Sequence, residues 1–126
     1  MNFAYLMVFL GGGVGAMSRL AVSSFVGKQA GGDFPWGTLI VNLIGAFAIG
    51  LIVEMLALKF SASQNLRYLL VTGFLGGFTT FSAFSLESTL MLTKGDYISL
   101  AGYVAASVIG TILMVLAATH LVRGIV

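Results

Sequence analysis

Four long apolar runs, divided by short polar connections, constrain this chain more than any other feature. They fall at Phe3 to Val26, Trp36 to Leu58, Leu66 to Thr93 and Tyr97 to Val122. A helix needs about 20 apolar residues to cross the hydrocarbon core of a bilayer, and each run is long enough. Backbone polar groups find no water at that depth, so the spanning segments must satisfy them internally, as helices do. The chain therefore reads as an all-α integral membrane protein of four transmembrane helices, a single domain over residues 1–126. Only 8% of its residues are charged, against about 25% in soluble domains. What lies outside the runs leaves no space for a soluble catalytic domain.

The same composition removes whole classes of function. Cysteine is absent, which excludes disulfides, thiolate catalysis and Cys-based metal sites. The lone His120 cannot form a histidine metal cluster within one chain. A formal net charge of +2, scattered along the chain, does not mark a nucleic-acid partner. No G-x-x-x-x-G-K-[ST] loop is present to cradle a nucleotide. The N-terminus, Met1-Asn2-Phe3-Ala4-Tyr5, lacks a basic region, and no small-residue cleavage site follows, so the first run reads as a retained helix.

The connections are a Gly/charge stretch from Gly27 to Asp33, a polar connector from Lys59 to Asn65, and a turn at Lys94-Gly95-Asp96. Arg123-Gly124 closes the fourth run. Pro35 suits the first turn of a helix, and Trp36 suits the membrane interface. Counting cations gives Lys59, Arg67 and Arg123 on one side and Lys28 and Lys94 on the other, with Arg19 unassigned. This near-balance fits insertion in both orientations with antiparallel pairing, and it fits a single, weakly N-inside topology.

Small residues recur at four-residue spacing: Gly11 and Gly15 with Gly12 and Ala16 beside them, and Gly102, Ala106 and Gly110. Such faces predict close helix packing within the chain. Polar residues line up too. Thr38 and Asn42 lie one turn apart, and Ser99, Tyr103, Ser107 and Thr111 form a stripe on the fourth helix. The stripe suits a wet path; the alternative is that each hydroxyl bonds back to its own helix. The Asn42 amide cannot easily satisfy itself in mid-helix, so it predicts a partner elsewhere.

The third run is unlike the others. Gly73, Gly76 and Gly77, followed by Thr79 and Thr80, predict a broken helix at mid-membrane depth, with a kinked but continuous helix as the alternative. A break is tolerated only where protein, an ion or water satisfies the freed backbone, and broken helices recur at ion sites near the midplane. Phe78, Phe81, Phe84 and Glu87 follow at three-residue spacing. Phenyl rings have positive edges that can meet an anion, although lipid-facing or core phenylalanine is the ordinary alternative. Glu87 is a candidate for a pathway exit; Glu54 and His120 read as interfacial.

Three motifs taken in order carry a resemblance: Gly12-Gly13-Val14-Gly15-Ala16-Met17-Ser18-Arg19, Gly37-Thr38-Leu39-Ile40-Val41-Asn42, and Gly76-Gly77-Phe78-Thr79-Thr80-Phe81-Ser82-Ala83-Phe84-Ser85. Together with the length and the four helices, they strongly resemble the Fluc (CrcB) family of fluoride channels. That resemblance implies an antiparallel, dual-topology homodimer in the cytoplasmic (inner) membrane of a prokaryote, with two pores that export fluoride passively across the lipid bilayer and protect against its toxicity. It implies pore roles for Phe81 and Phe84 through their ring edges and for Asn42 as an amide donor, with Ser82, Ser85, Tyr103 and Thr111 in the polar lining. It places Arg19 in an aqueous vestibule, favouring anions. It also implies a central structural Na⁺ on the two-fold axis, held by the backbone carbonyls of Gly76 and Thr79 from both copies, a donor set that suits a hard cation. Val115 departs from the pattern: some relatives carry a hydroxyl there, so the polar lining is expected to be shorter.

Two other readings fit four short helices. A proton-coupled small multidrug exporter needs a carboxylate embedded in its first helix, where this chain has Arg19 and no acid; it would have to use Glu54 or Glu87. A non-transporting assembly subunit would tolerate substitution of Asn42 and the two phenylalanines.

Overall fold

The computed structural model describes residues 3–58 and 63–125. Its elements are α1 (Phe3–Ala30), α2 (Trp36–Leu58), α3 (Gln64–Arg67), a π-helical stretch (Tyr68–Leu75), α4 (Gly76–Phe78), α5 (Phe81–Lys94) and α6 (Tyr97–Ile125). Four helical segments are long and apolar enough to cross a membrane: Phe3–Ala30, Trp36–Leu58, Gln64–Lys94 and Tyr97–Ile125. The protein is a multi-pass membrane protein.

The boundaries differ from the expected ones where polar residues extend a helix beyond its apolar stretch. α1 continues through Ala30, past the expected end at Val26. Gly31 ends it with φ 67°, and its N–H reaches Gly27 O at 3.0 Å. α6 likewise runs on to Ile125. Of the connector expected at Lys59 to Asn65, the first four residues lie outside the described ones, while Gln64 and Asn65 are helical behind the N-cap Ser63. The expected turn at Lys94-Gly95-Asp96 is present. Gly95 has φ 75°, and the Gly95 and Asp96 N–H groups close on Leu92 O and Met91 O at 3.1 and 3.0 Å. This is the double bond of a Schellman ending.

Two pairings organise the bundle: α1 packs on the π-helical stretch and α4, and α2 packs on α6. The small residues explain both. A Cβ on Gly11 would strike Leu69 O, one on Gly15 would strike Phe74 O, and one on Gly77 would strike Gly12 O. The two backbones therefore touch, as the Gly11/Gly15 spacing predicts. Gly50 admits Ala118 and Val115 of α6 in the same way. Gly102 differs: a Cβ there meets nothing within 4 Å, so this part of the fourth-helix small face is open in the single chain.

α5 is the loosely held element. It packs on α2 and α6 but not on α1. Its outer face, with Phe81, Ser82, Ser85, Leu86 and Thr89, is exposed. At one end of the bundle Arg123 Nε pairs with Glu54 Oε1 at 3.1 Å, so Glu54 has a partner within the chain.

Candidate functional site

The third segment is broken, and the break lies at Thr79 and Thr80, slightly beyond the glycines. Thr79 has φ/ψ of −84°/156° and Thr80 −152°/114°, both extended. Gly76 and Gly77 remain helical in α4. The glycines serve close packing against α1 at Gly77, while the break itself falls to the two β-branched residues, which favour extended backbone.

Asn42 holds the break open. Its Oδ1 accepts the Thr80 N–H at 2.9 Å, and its Nδ2 donates to Thr80 O at 3.1 Å. The Thr80 N–H is the donor that a continuous helix would have given to Gly76 O. One turn later, Thr80 Oγ1 caps α5 by accepting the Ala83 N–H at 3.1 Å. That donor would otherwise have served Thr79 O. Side chains thus take the two N–H groups, and the carbonyls of Gly76 and Thr79 lose their helical partners. Arg19 Nε donates to the next carbonyl, Gly77 O, at 3.1 Å. Thr79 itself is tied back, with both its N–H and its Oγ1 on Leu75 O, at 3.0 and 2.8 Å.

Beside the break lies a cleft of about 440 Å³ between α2, the third segment and α6. Asn42, Gly76, Thr79, Phe81, Phe84 and Thr111 all line it, so six of the expected site residues converge on one space. Ser107 lines it as well, and its Oγ is buried without a hydrogen-bond partner. Thr111 Oγ1 bonds back to Ser107 O. The α6 stripe is therefore mixed: Thr111 is satisfied by its own helix, and Ser107 is not. Val115 lies off the cleft, against Gly50, and Thr111 is the last hydroxyl along it on α6.

The other expected residues lie apart from this cleft. Ser82 and Ser85 sit on the exposed outer face of α5, with Ser82 Oγ sharing a 3.2 Å bond with Thr80 Oγ1. Arg19 is committed to Gly77 O. Tyr103 is fully buried beyond the cleft. Its OH donates to Glu87 Oε1 at 2.8 Å, and Thr38 Oγ1 donates to Glu87 Oε2 at 3.0 Å. Glu87 therefore holds a two-donor site inside the bundle and also lines a second cavity of about 300 Å³, together with Asp33, Phe34, Lys94, Asp96 and Ser99.

A column of rings joins the two spaces. Phe81 and Phe84 have centroids 5.4 Å apart, Phe84 and Tyr103 5.1 Å, and Tyr103 meets Phe34 edge-on at 5.5 Å. Phe81, at the open end, is 78% exposed. The first two pairs are tilted, at 42° and 45°, and the third is T-shaped at 83°, so the column runs from the cleft to the Glu87 site without face-to-face stacking. Among the described residues no group of three or more His, Asp or Glu side chains is placed to hold a metal.

Sequence reasoning undervalued Thr80, Glu87 and Ser107. A threonine opening an apolar helix is a capping signal. The Thr38/Asn42 spacing announced two inward polar groups, but only the fold shows that their partners are Glu87 and Thr80.

The comparisons agree with this architecture. Residues 6–119 match the family described as CrcB-like protein, Camphor Resistance (CrcB). A Chelativorans protein is 48% identical over 120 residues, covering 95% of this chain and 96% of its own. A Granulibacter bethesdensis protein is 46% identical over 123 residues, covering 98% and 97%. An Allorhizobium ampelinum protein is 52% identical over 103 residues, covering 82% of each. All three bear the name fluoride-specific ion channel FluC, the name of a channel and not of an enzyme. With a match that runs through all four membrane segments, this protein belongs to the CrcB family.

Proposed function

We propose that this chain forms a fluoride-selective channel that exports the ion passively across the inner membrane of a prokaryote, as an antiparallel homodimer with two pores and a central structural Na⁺. The observation that carries the reading is the Asn42–Thr80 clamp. It opens the third helix at mid-span and sets released carbonyls, an amide and two phenyl rings around one cleft.

Fluoride holds its water strongly, so a pathway must offer donors of comparable strength that still release it. The second Nδ2 hydrogen of Asn42, the unpartnered Ser107 hydroxyl and the edges of Phe81 and Phe84 supply them. Tyr103 and Thr38 both point their hydroxyls at Glu87, so the carboxylate is partnered at the inner end of the path and does not stand free against an anion.

Three features support a second copy of the chain. A channel wall cannot be a ring open to lipid, yet Phe81 is 78% exposed. Ser82 and Ser85 present hydroxyls on the same uncovered face of α5, where lipid offers no partner. Gly76 is exposed, and a Cβ there would meet nothing nearer than Val71 O at 3.8 Å, so packing within the chain does not demand glycine. Close approach of a partner would. The Gly76 and Thr79 carbonyls, doubled by an antiparallel copy, make a four-oxygen set that fits Na⁺. When bound, the ion would neutralise those carbonyl dipoles and tie the two copies together.

Fluoride efflux from liposomes holding the purified protein, read with a fluoride electrode beside a chloride control, tests this function. Rapid fluoride release with negligible chloride release is expected. A folded dimer that releases neither ion would overturn the channel and favour a non-transporting assembly subunit.

A further inference from the structure

We propose that Arg19, through its Nε, is a positioning residue for the cation-binding carbonyls. The inference rests on the Na⁺ site proposed above.

The break strips helical donors from four successive carbonyls, those of Gly76, Gly77, Phe78 and Thr79, because no backbone bond returns to them from Thr80, Phe81, Ser82 or Ala83. The outer two, of Gly76 and Thr79, are needed with their lone pairs free. Gly77 O, next to Gly76 in sequence, would compete for the ion or turn its neighbour away from it. Arg19 Nε takes that oxygen at 3.1 Å from α1.

Side chains cannot do this work locally. Gly76 and Gly77 stand back to back, so no Cβ limits the rotation of the peptide planes around them. Gly77 must also stay glycine, because its Cα faces the α1 backbone at Gly12 and Ala16. A directed donor from the neighbouring helix is the remaining means of fixing the plane. A guanidinium suits it: planar, permanently charged and rigid at Nε, where lysine offers a rotating ammonium at the end of a flexible stem. Asn42 on α2 fixes the far side of the break, and Arg19 on α1 fixes the near side.

The test follows the thermal unfolding midpoint of the full-length dimer in detergent as Na⁺ replaces N-methylglucamine at constant ionic strength. A cation that binds only the folded dimer raises the midpoint with its concentration. For Arg19→Gln and Arg19→Lys alike, the Na⁺ concentration giving half the stabilisation is expected to rise about tenfold, the factor that loss of one charge-assisted hydrogen bond implies. Fluoride efflux at saturating Na⁺ should stay measurable. Lysine keeping the wild-type Na⁺ curve would overturn the proposal in favour of charge alone. A uniform drop in the midpoint with the half-saturation unmoved would mark an ordinary packing contact and overturn it too. So would an Arg19→Lys protein that assembles at no Na⁺ concentration. A wild-type protein indifferent to Na⁺ would remove the cation site and this role with it, whereas a normal wild-type response with unmoved variants removes the role of Arg19 only.

Discussion

Asn42 and Thr80 bind each other twice, Oδ1 to N–H at 2.9 Å and Nδ2 to O at 3.1 Å, and this reciprocal pair replaces the helix bond that would have sealed the third segment. Each half has its own consequence. The acceptor half keeps the Thr80 N–H from Gly76 O; the donor half satisfies a carbonyl that lies at membrane depth. Asn42→Asp keeps the acceptor and loses the donor, while Asn42→Ala loses both. We expect Asn42→Ala to lower stability by about 1–3 kcal/mol, the cost of leaving buried backbone groups unpaired, and to abolish fluoride efflux. Asn42→Asp should be at least as destabilising, since its carboxylate would face Thr80 O with no donor between them, and should also fail to conduct, since it would face the ion. Thermal unfolding alongside liposome efflux checks both. An Asn42→Ala channel that conducts normally would show that the break needs no clamp.

Phe81 and Phe84 act as a pair in the proposed pathway, their centroids 5.4 Å apart. Phe81→Ile keeps most of the apolar surface and removes the ring edge. Folding of each chain should survive, because Phe81 is 78% exposed in the single chain and contributes little to its core, and dimer formation should survive because isoleucine keeps an apolar surface for the partner to cover. Efflux should fall by at least about a hundredfold, as expected when the path loses an electrostatic contact worth about 2.7 kcal/mol or more at low dielectric. Gel-filtration profile and fluoride electrode together decide this. Undiminished efflux from the isoleucine variant would remove the ring from the pathway.

Much of this was legible in the residues. The four spans rest on length and hydropathy, and backbone contact at Gly11 and Gly15 rests on their spacing. The break was legible from its glycines and threonines, but its position was not, because Gly76 and Gly77 tolerate helix well enough when α1 packs on them. The break falls where Thr79 and Thr80 meet Asn42, a contact between residues 38 positions apart that no local propensity encodes. Glu87 was hard to place for the same reason. An isolated acid in a membrane helix reads as a misfit until Thr38 and Tyr103, from α2 and α6, are seen to donate to it. Ser107 was visible as one hydroxyl of four; that it alone among Tyr103, Ser107 and Thr111 goes unpartnered depends on rotamers, which sequence does not show.

The Glu87 site makes a prediction about coupling. Its two oxygens each hold one donor, so removing the Tyr103 hydroxyl leaves Oε1 bare inside the bundle. Tyr103→Phe should cost about 1–3 kcal/mol. In a Glu87→Gln background the same change should cost less, since a neutral amide suffers less from losing a donor than a carboxylate does. The cycle of Tyr103→Phe and Glu87→Gln should show a coupling of about 1 kcal/mol or more, as contacting polar groups do. Additive unfolding energies would mean that the two side chains do not depend on each other.

The last prediction concerns how Thr79 is kept in place. A Cβ on Gly45 would collide with Thr79 Cγ2 and also approach Phe78 Cδ2 at 3.4 Å, so α2 presses directly on the break. Thr79 has little freedom to retreat, because its N–H and Oγ1 are both on Leu75 O. Gly45→Ala should therefore overpack this contact and destabilise by about 1–3 kcal/mol. It should also displace the Thr79 carbonyl and so lower the response of the unfolding midpoint to Na⁺. Gly27→Ala is the control: that glycine is helical, a Cβ there meets nothing within 4 Å, and its replacement should be neutral or stabilising by up to about 1 kcal/mol. Equal tolerance of alanine at both positions would mean that α2 does not set the position of Thr79. Damage at Gly45 with an unchanged Na⁺ response would separate packing of the break from its proposed cation site.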